Sequence, residues 1–190
     1  LDILTDNFEV GSDVMFKAPR RLGLADWWQI ARLPRPELKY APMQAPSVWR
    51  PHEDPEVIFE QLRFGDVVVH HPYESFATVE AFVRAAVRDP HVVAIKMTLY
   101  RIGANSPLID LLLQAAENGK QIAVVLELQA RFDERTNITW ARRLESHGVH
   151  VIYGFTHLKT HAKLCLVVRR DADGIRGYVH IGTGNYNADT

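Results

Sequence analysis

The chain has 190 residues, 47% of them apolar and 24% charged, with a net charge of -1, which is the balance of an ordinary globular protein long enough for one good core. No apolar run is long enough to span a bilayer and no signal-peptide pattern opens the chain, while the near-neutral charge argues against a general nucleic-acid binder. The single cysteine, Cys165, excludes an intrachain disulfide and fits a reducing, cytosolic setting.

Read in order, the chain starts at Leu1 rather than Met and stops at Asn187-Ala188-Asp189-Thr190 without a closing element, the expectation for a piece of something larger. Leu22 to Leu33 is a short amphipathic stretch carrying Trp27 and Trp28, which are expected in a core or an interface. Pro34, Pro36, Pro42, Pro46 and Pro51 follow it. Prolines at that density favour extended backbone, so residues 1–50 read as the tail of a preceding domain plus a linker, and 51–190 as the main domain.

The pattern then becomes regular. Asp54-Pro55 is an N-cap with proline at the first helical position, opening a helix to about Leu62. Val67-Val68-Val69 reads as a short buried strand. Val79, Phe82, Val83, Ala86 and Val87 recur at helical spacing until Asp89-Pro90. Val92 to Tyr100 is a strand continuous enough to be covered on both faces. Ser106-Pro107 begins a helix with Leu108, Leu111, Leu112 and Ala115 inward and Gly119 as its cap. Ile122 to Leu128 is a strand, Asp133 to His147 a helix with Ile138, Ala141 and Leu144 inward, and Val149 to Tyr153 another strand. Lys163 to Arg169 and Ile175 to Ile181 form a terminal strand pair across the turn at Asp171 to Gly174. Helices alternating with strands predict an α/β sandwich with a mostly parallel sheet covered by helices.

The stretch richest in chemistry is Thr156 to Lys163. His161 and Lys163 are two apart, so in extended backbone they share a face. Neutral imidazole is a good phosphoryl acceptor, and a lysine ammonium is a compact charge for phosphate oxygens. From Gly154 to Arg170 the basic residues are Lys159, Lys163, Arg169 and Arg170, with no acid. The strands ending near Tyr100-Arg101 and Ala130-Arg131 deliver two arginines to the carboxyl rim, where open α/β sheets bind ligands. Each arginine suits a phosphate, or pairs with an acid such as Asp133 or Glu134. Gly182-Thr183-Gly184-Asn185 is a tight loop able to offer backbone N–H groups to an anion. His157 and His161 have zinc-motif spacing, but no glutamate lies between them and the following strand disfavours a helix. His70-His71 flank a strand end and read as structural; Cys165 reads as a small core residue.

Several runs in the correct order resemble bacterial polyphosphate kinase of the first family. They are His70 to Phe76, Ala94 to Arg101, Ala115 to Lys120, Glu127 to Glu134, Gly154 to Lys163, and Gly182 to Asn187. The resemblance implies the first of two C-terminal phospholipase D-like domains, preceded by the end of a middle domain. It implies ATP:polyphosphate phosphotransfer, reversible, through a phosphohistidine at His161. Lys163 and Asn185 are implied as phosphate-binding partners, and Arg101 and Arg131 as a magnesium–phosphate site. Because Mg²⁺ prefers oxygen ligands, the two arginines are read as holding the phosphates that carry the metal. The implied partners are ATP, ADP, Mg²⁺ and polyphosphate, with a homo-oligomer for the full-length enzyme, no nucleic acid, and a cytoplasmic place that extends to the inner face of the membrane. Phospholipase D-type hydrolases carry an aspartate where this chain has Val168, which counts against a phosphodiesterase. His161-Ala162-Lys163 is read as the chain's one His-x-Lys element, so the other half of a shared site is expected outside it. Phosphodiester hydrolysis through the same histidine and a non-catalytic polyanion-binding module remain the competing activities.

Overall fold

The computed structural model describes the chain except residues 1, 10, 15, 17–22, 42, 104–105, 129, 131–133, 156 and 188–190. It divides into two compact units, Leu1–Met43 and Gln44–Thr190. The first holds two short helices, α1 (Asp2–Phe8) and α2 (Trp27–Ala31), with 3-10 turns at Ser12–Val14, Leu24–Asp26 and Pro36–Leu38. Trp27 and Trp28 are exposed rather than buried, and the Arg32 guanidinium lies over the Trp28 ring.

The division falls ahead of residue 50, because the segment before it is tied to the second unit. Trp49 is buried and its Nε1 donates to Gln61 Oε1 at 2.8 Å. Val48 N donates to Thr78 Oγ1 at 3.0 Å, and Pro46 O accepts Ser75 N. Prolines remove donors but leave carbonyls and flanking residues free to bond, so this part of the expected linker is fixed.

Helix α3 (Pro55–Phe64) starts as expected: Asp54 Oδ1 accepts the Glu56 N–H at 2.9 Å and Pro55 occupies the first turn. The expected strand at Val67–Val69 does not form; Val67 packs against the core while Val68 is 89% exposed. Three β-branched residues have strand propensity, but a strand also needs a ladder partner, and none is offered here. Then come α4 (Ala77–Arg88), β1 (Val92–Leu99), α5 (Pro107–Glu117), β2 (Gln121–Leu126), α6 (Glu134–Glu145), β3 (His150–Tyr153), β4 (Lys163–Asp171) and β5 (Gly174–Gly182). Gly119, at φ +79°, closes α5 in the left-handed region that glycine enters without strain.

The strand order is β3-β2-β1-β4-β5. β1, β2 and β3 pair in parallel, and β4 is antiparallel to both β1 and β5. Four strands therefore run one way, as a mostly parallel sheet requires, yet only half of the ladders are parallel: the sheet is mixed. Helices α3 to α6 follow one another side by side, with α4 over β1, α5 over β2 and α6 over β3. Ile95, Met97, Leu99, Ile122, Val124, Leu126, Cys165 and Val167 are buried beneath them. The opposite face stays open. Lys96, Val179 and Ile181 are exposed and Leu164, Leu166 and Val168 half-buried, so the strand at 92–99 is covered on one face rather than two.

In α6 the inward residues are Asn137, Ala141 and Leu144, while Ile138 is exposed. The polar residue wins the inner position because Asn137 Nδ2 donates to Tyr100 O at 2.8 Å and Glu127 O at 2.9 Å. Those two carbonyls lie where β1 and β2 leave the sheet and would otherwise be buried without a donor.

Candidate active site

Parallel strands bring their carboxyl ends to one rim, and β4, running the other way, begins there. Tyr100-Arg101, Glu127, Gly154, His161 to Lys163 and Gly182 therefore meet at one edge of the sheet. Lys163 is the first residue of β4 and only 3% exposed, whereas His161 lies just ahead of the strand in solvent. The Lys163 Nζ lies 3.1 Å from His161 Nδ1 and 3.2 Å from Nε2, and donates to His161 O at 2.5 Å. Near-equal distances to both nitrogens put the ammonium over the ring face, since an in-plane position would overlap the carbon between them. Burial, and then the charge of Arg101, lower the Lys163 pKa.

β1 sets this geometry. The Thr98 hydroxyl donates to Ala162 O at 2.6 Å and accepts Leu164 N at 2.9 Å, gripping the chain on both sides of Lys163. Two residues on, the Tyr100 ring meets the His161 ring edge-on at 5.0 Å. Lys163 Nζ lies 5.1 Å, and the Arg101 guanidinium carbon 5.7 Å, from the Tyr100 centroid. From β2, the buried Glu127 carboxylate accepts the Thr160 N–H at 2.9 Å. Gly154 lies against the same carboxylate, where a Cβ would stand 3.4 Å from it, in ordinary contact.

The loop after β5 completes the rim. Gly182 pairs with Lys163 across the ladder, and a Cβ on it would meet His180 Cε1 at 3.1 Å. His180 Nδ1 and Tyr186 Oη share a hydrogen bond of 2.8 Å. Among the described residues, Asn185 Oδ1 and Thr160 Oγ1 are buried without a hydrogen-bond partner. The Asn187 amide lies 3.5 Å from where a Gly103 Cβ would be, so this loop reaches the one that follows Arg101.

Of the residues singled out in the sequence, His161, Lys163 and Arg101 come together, and Asn185 lies on the adjoining loop. Arg131 lies outside the described residues. The basic run from Lys159 to Arg170 does not form one patch: Arg169 is buried in an ion network at the far end of β4. The His-x-Lys spacing also recurs at His157-Leu158-Lys159, which corrects the reading of a single such element. That copy is exposed beside the Phe155–Leu158 bridge, and Lys163 is the lysine that meets His161. Thr98, Tyr100, Glu127, His180 and Tyr186 escaped the sequence reading as site residues.

For magnesium, the donor set matters more than the spacing. Among the described residues no three His, Cys, Asp or Glu side chains cluster as a metal cage. The cations at the rim, Arg101 and Lys163, suit phosphate oxygens rather than Mg²⁺, which takes oxygen ligands and keeps several waters. The described residues therefore fit phosphate that carries Mg²⁺ better than the bare ion.

The fold and site define an α/β domain with a histidine, a buried lysine and an arginine on its carboxyl rim. The family model described as "Polyphosphate kinase C-terminal domain 1" matches residues 57–190, and the chain belongs to that family. It is 50% identical, over its whole length, to the polyphosphate kinases of Mycolicibacterium gilvum and Mycobacterium leprae. It spans 26% of the length of each of these curated relatives. The crystal structure of polyphosphate kinase from Porphyromonas gingivalis superposes with a TM-score of 0.72 at 28% identity, covering 96% of this chain and 31% of that one.

Proposed function

We propose that this chain is the part of a polyphosphate kinase that accepts the γ-phosphoryl group of ATP on His161 and passes it to the end of a polyphosphate chain. The observation that carries the reading is the Lys163 ammonium lying over the ring of a solvent-exposed His161. A ring nitrogen attacks the γ-phosphorus as the bond to the bridging oxygen breaks, and ADP leaves with that electron pair. A terminal polyphosphate oxygen then attacks the same phosphorus and the nitrogen regains its lone pair; the reverse sequence makes ATP. Lys163 and Arg101 neutralise non-bridging oxygens, as phosphoryl transfer requires more than covalent help. Asn185 joins them, and Arg131 takes the role that the family resemblance gives it. Magnesium enters on the ATP phosphates, as part of the substrate. Residues before the second unit are read as the end of a preceding domain, and the complete protein as a homo-oligomer acting in the cytoplasm or at the inner membrane face.

Acid-labile label from γ-phosphate-labelled ATP tests this in the complete protein. Replacing His161→Ala should abolish the label, while His157→Ala retains it. Label that survives the loss of His161 moves the nucleophile elsewhere. Label taken from a phosphodiester favours hydrolysis, and polyphosphate binding without any label favours a binding module.

A further inference from the structure

We infer that Tyr100 is a positioning residue: its ring sets the attitude of His161 and holds Lys163 and Arg101 beside it. The inference rests on the phosphohistidine reading and adds a residue that the chemistry itself does not require.

Tyr100 follows β1, whose last turns of the ladder are fixed on both sides. The main-chain carbonyl of Tyr100 is held by the buried Asn137 amide at 2.8 Å. Thr98 bonds both Ala162 O and Leu164 N, so the tripeptide that carries His161 and Lys163 is anchored to the same strand. The Tyr100 ring is thereby held against that tripeptide by backbone on either side. Its contact with His161 is edge-to-face, with the planes at 71° and the centroids 5.0 Å apart, an arrangement aromatic pairs favour. Without a neighbour of this kind an exposed imidazole just ahead of a strand would turn freely about its side-chain bonds, and in-line attack tolerates little misorientation.

The same ring also meets two cations that repel each other. Lys163 and Arg101 lie 5.1 and 5.7 Å from its centroid, and the charge of Arg101 opposes protonation of Lys163. The negative face of an aromatic ring attracts an ammonium or guanidinium at this range. Tyr100 thus offers one ring to two positive groups that the same rim brings together. These contacts use the ring and not the hydroxyl, which separates Tyr100→Phe from Tyr100→Leu.

Both variants are to be made in the complete protein, with wild type and His161→Ala beside them. At saturating Mg²⁺-ATP, Tyr100→Phe should label at His161 at nearly the wild-type rate. Tyr100→Leu should label about 10- to 100-fold more slowly, the loss expected for one aromatic pair and two cation contacts. The urea midpoint should hold in Tyr100→Phe and fall modestly in Tyr100→Leu, since the half-buried ring makes its contacts with His161, Lys163 and Arg101 in the resting fold too. Selectively labelled histidine spectra provide a readout independent of turnover: the three-bond couplings that report the His161 side-chain angle should move towards rotamer-averaged values in Tyr100→Leu and hold in Tyr100→Phe. His161 couplings unmoved by Tyr100→Leu overturn the inference, whatever the rate does. Equal labelling by wild type and Tyr100→Leu overturns it too. Wild type that never labels at His161 overturns the phosphohistidine reading instead, and is told apart by the spectra.

Discussion

His180 carries the clearest cost of assembling this rim. It lies across the ladder from Cys165, shares its hydrogen bond with Tyr186, and faces the charge of His71. Burial first, then His71, depress its pKa from 6.5 to about 4. The unfolded chain binds a proton near pH 6.5, whereas the folded one refuses it until about pH 4. Stability is therefore lost as the pH falls through that window and levels off below it. The full loss is about 3 kcal/mol for a shift of this size. Replacing His180→Gln removes the titrating group while leaving an amide that can bond the Tyr186 hydroxyl. Melting temperatures between pH 7 and pH 4 should fall more steeply in wild type than in the variant. Parallel curves would mean that His180 is already solvated in the folded protein.

At the far end of the sheet from the candidate site, Arg169 joins four elements. Its Nε donates to Asp89 Oδ2 at 2.8 Å and its Nη1 to Asp171 Oδ1 at 2.6 Å, with Glu56 as a third partner. Tyr178 donates to the other Asp171 oxygen at 2.6 Å, and the guanidinium lies over the Phe59 ring. Burial alone would raise the Asp171 pKa, but the bonds from Tyr178 and Arg169 outweigh it and hold the carboxyl below its usual range. Replacing Arg169→Met leaves Asp89 buried without its cation and Asp171 with Arg176 alone, 3.2 Å from Oδ2, which should cost about 3–5 kcal/mol in urea denaturation. A loss below about 1 kcal/mol would show that the carboxylates find water or protons instead. None of this network was visible in the sequence, because Arg169 and Asp89 are eighty positions apart. Local pattern, by contrast, announced every helix described in the second unit and all five strands, through cap residues, helical spacing and short apolar runs. It failed where a local pattern met a distant partner. Val67 to Val69 has strand residues but no ladder, and Ile138 gives way to Asn137 because two carbonyls from other strands needed a donor. The site divides the same way. His161, Lys163 and Arg101 stand out by chemistry, while Thr98, Tyr100 and Glu127 matter only through contacts with a loop more than thirty positions later.

In the second unit, the described residues of the candidate site lie along one rim of the sheet. Its charged groups are supplied by one edge of one sheet, and His161 faces solvent beside them. Among the described residues no helix is long and apolar enough to cross a membrane, and the open sheet face leaves Ile175, Val179 and Ile181 more than half exposed. Contiguous apolar surface of that kind marks a place where protein meets protein, or a tendency to self-associate. Phosphoryl transfer to polyphosphate instead of water needs the reacting phosphate to be enclosed, because water is the more abundant acceptor. The chain spans only 26% of its curated relatives, and the cations described at the site come from one edge of one sheet. The 190-residue chain by itself should therefore bind polyphosphate weakly, with an affinity that falls as salt rises, and should make no polyphosphate chain. Incubation with Mg²⁺-ATP followed by staining for polyphosphate decides the point, with the complete protein as the positive control. Robust product from the isolated chain would mean that one rim suffices for transfer, and that a closed site is not required for the acceptor to outcompete water.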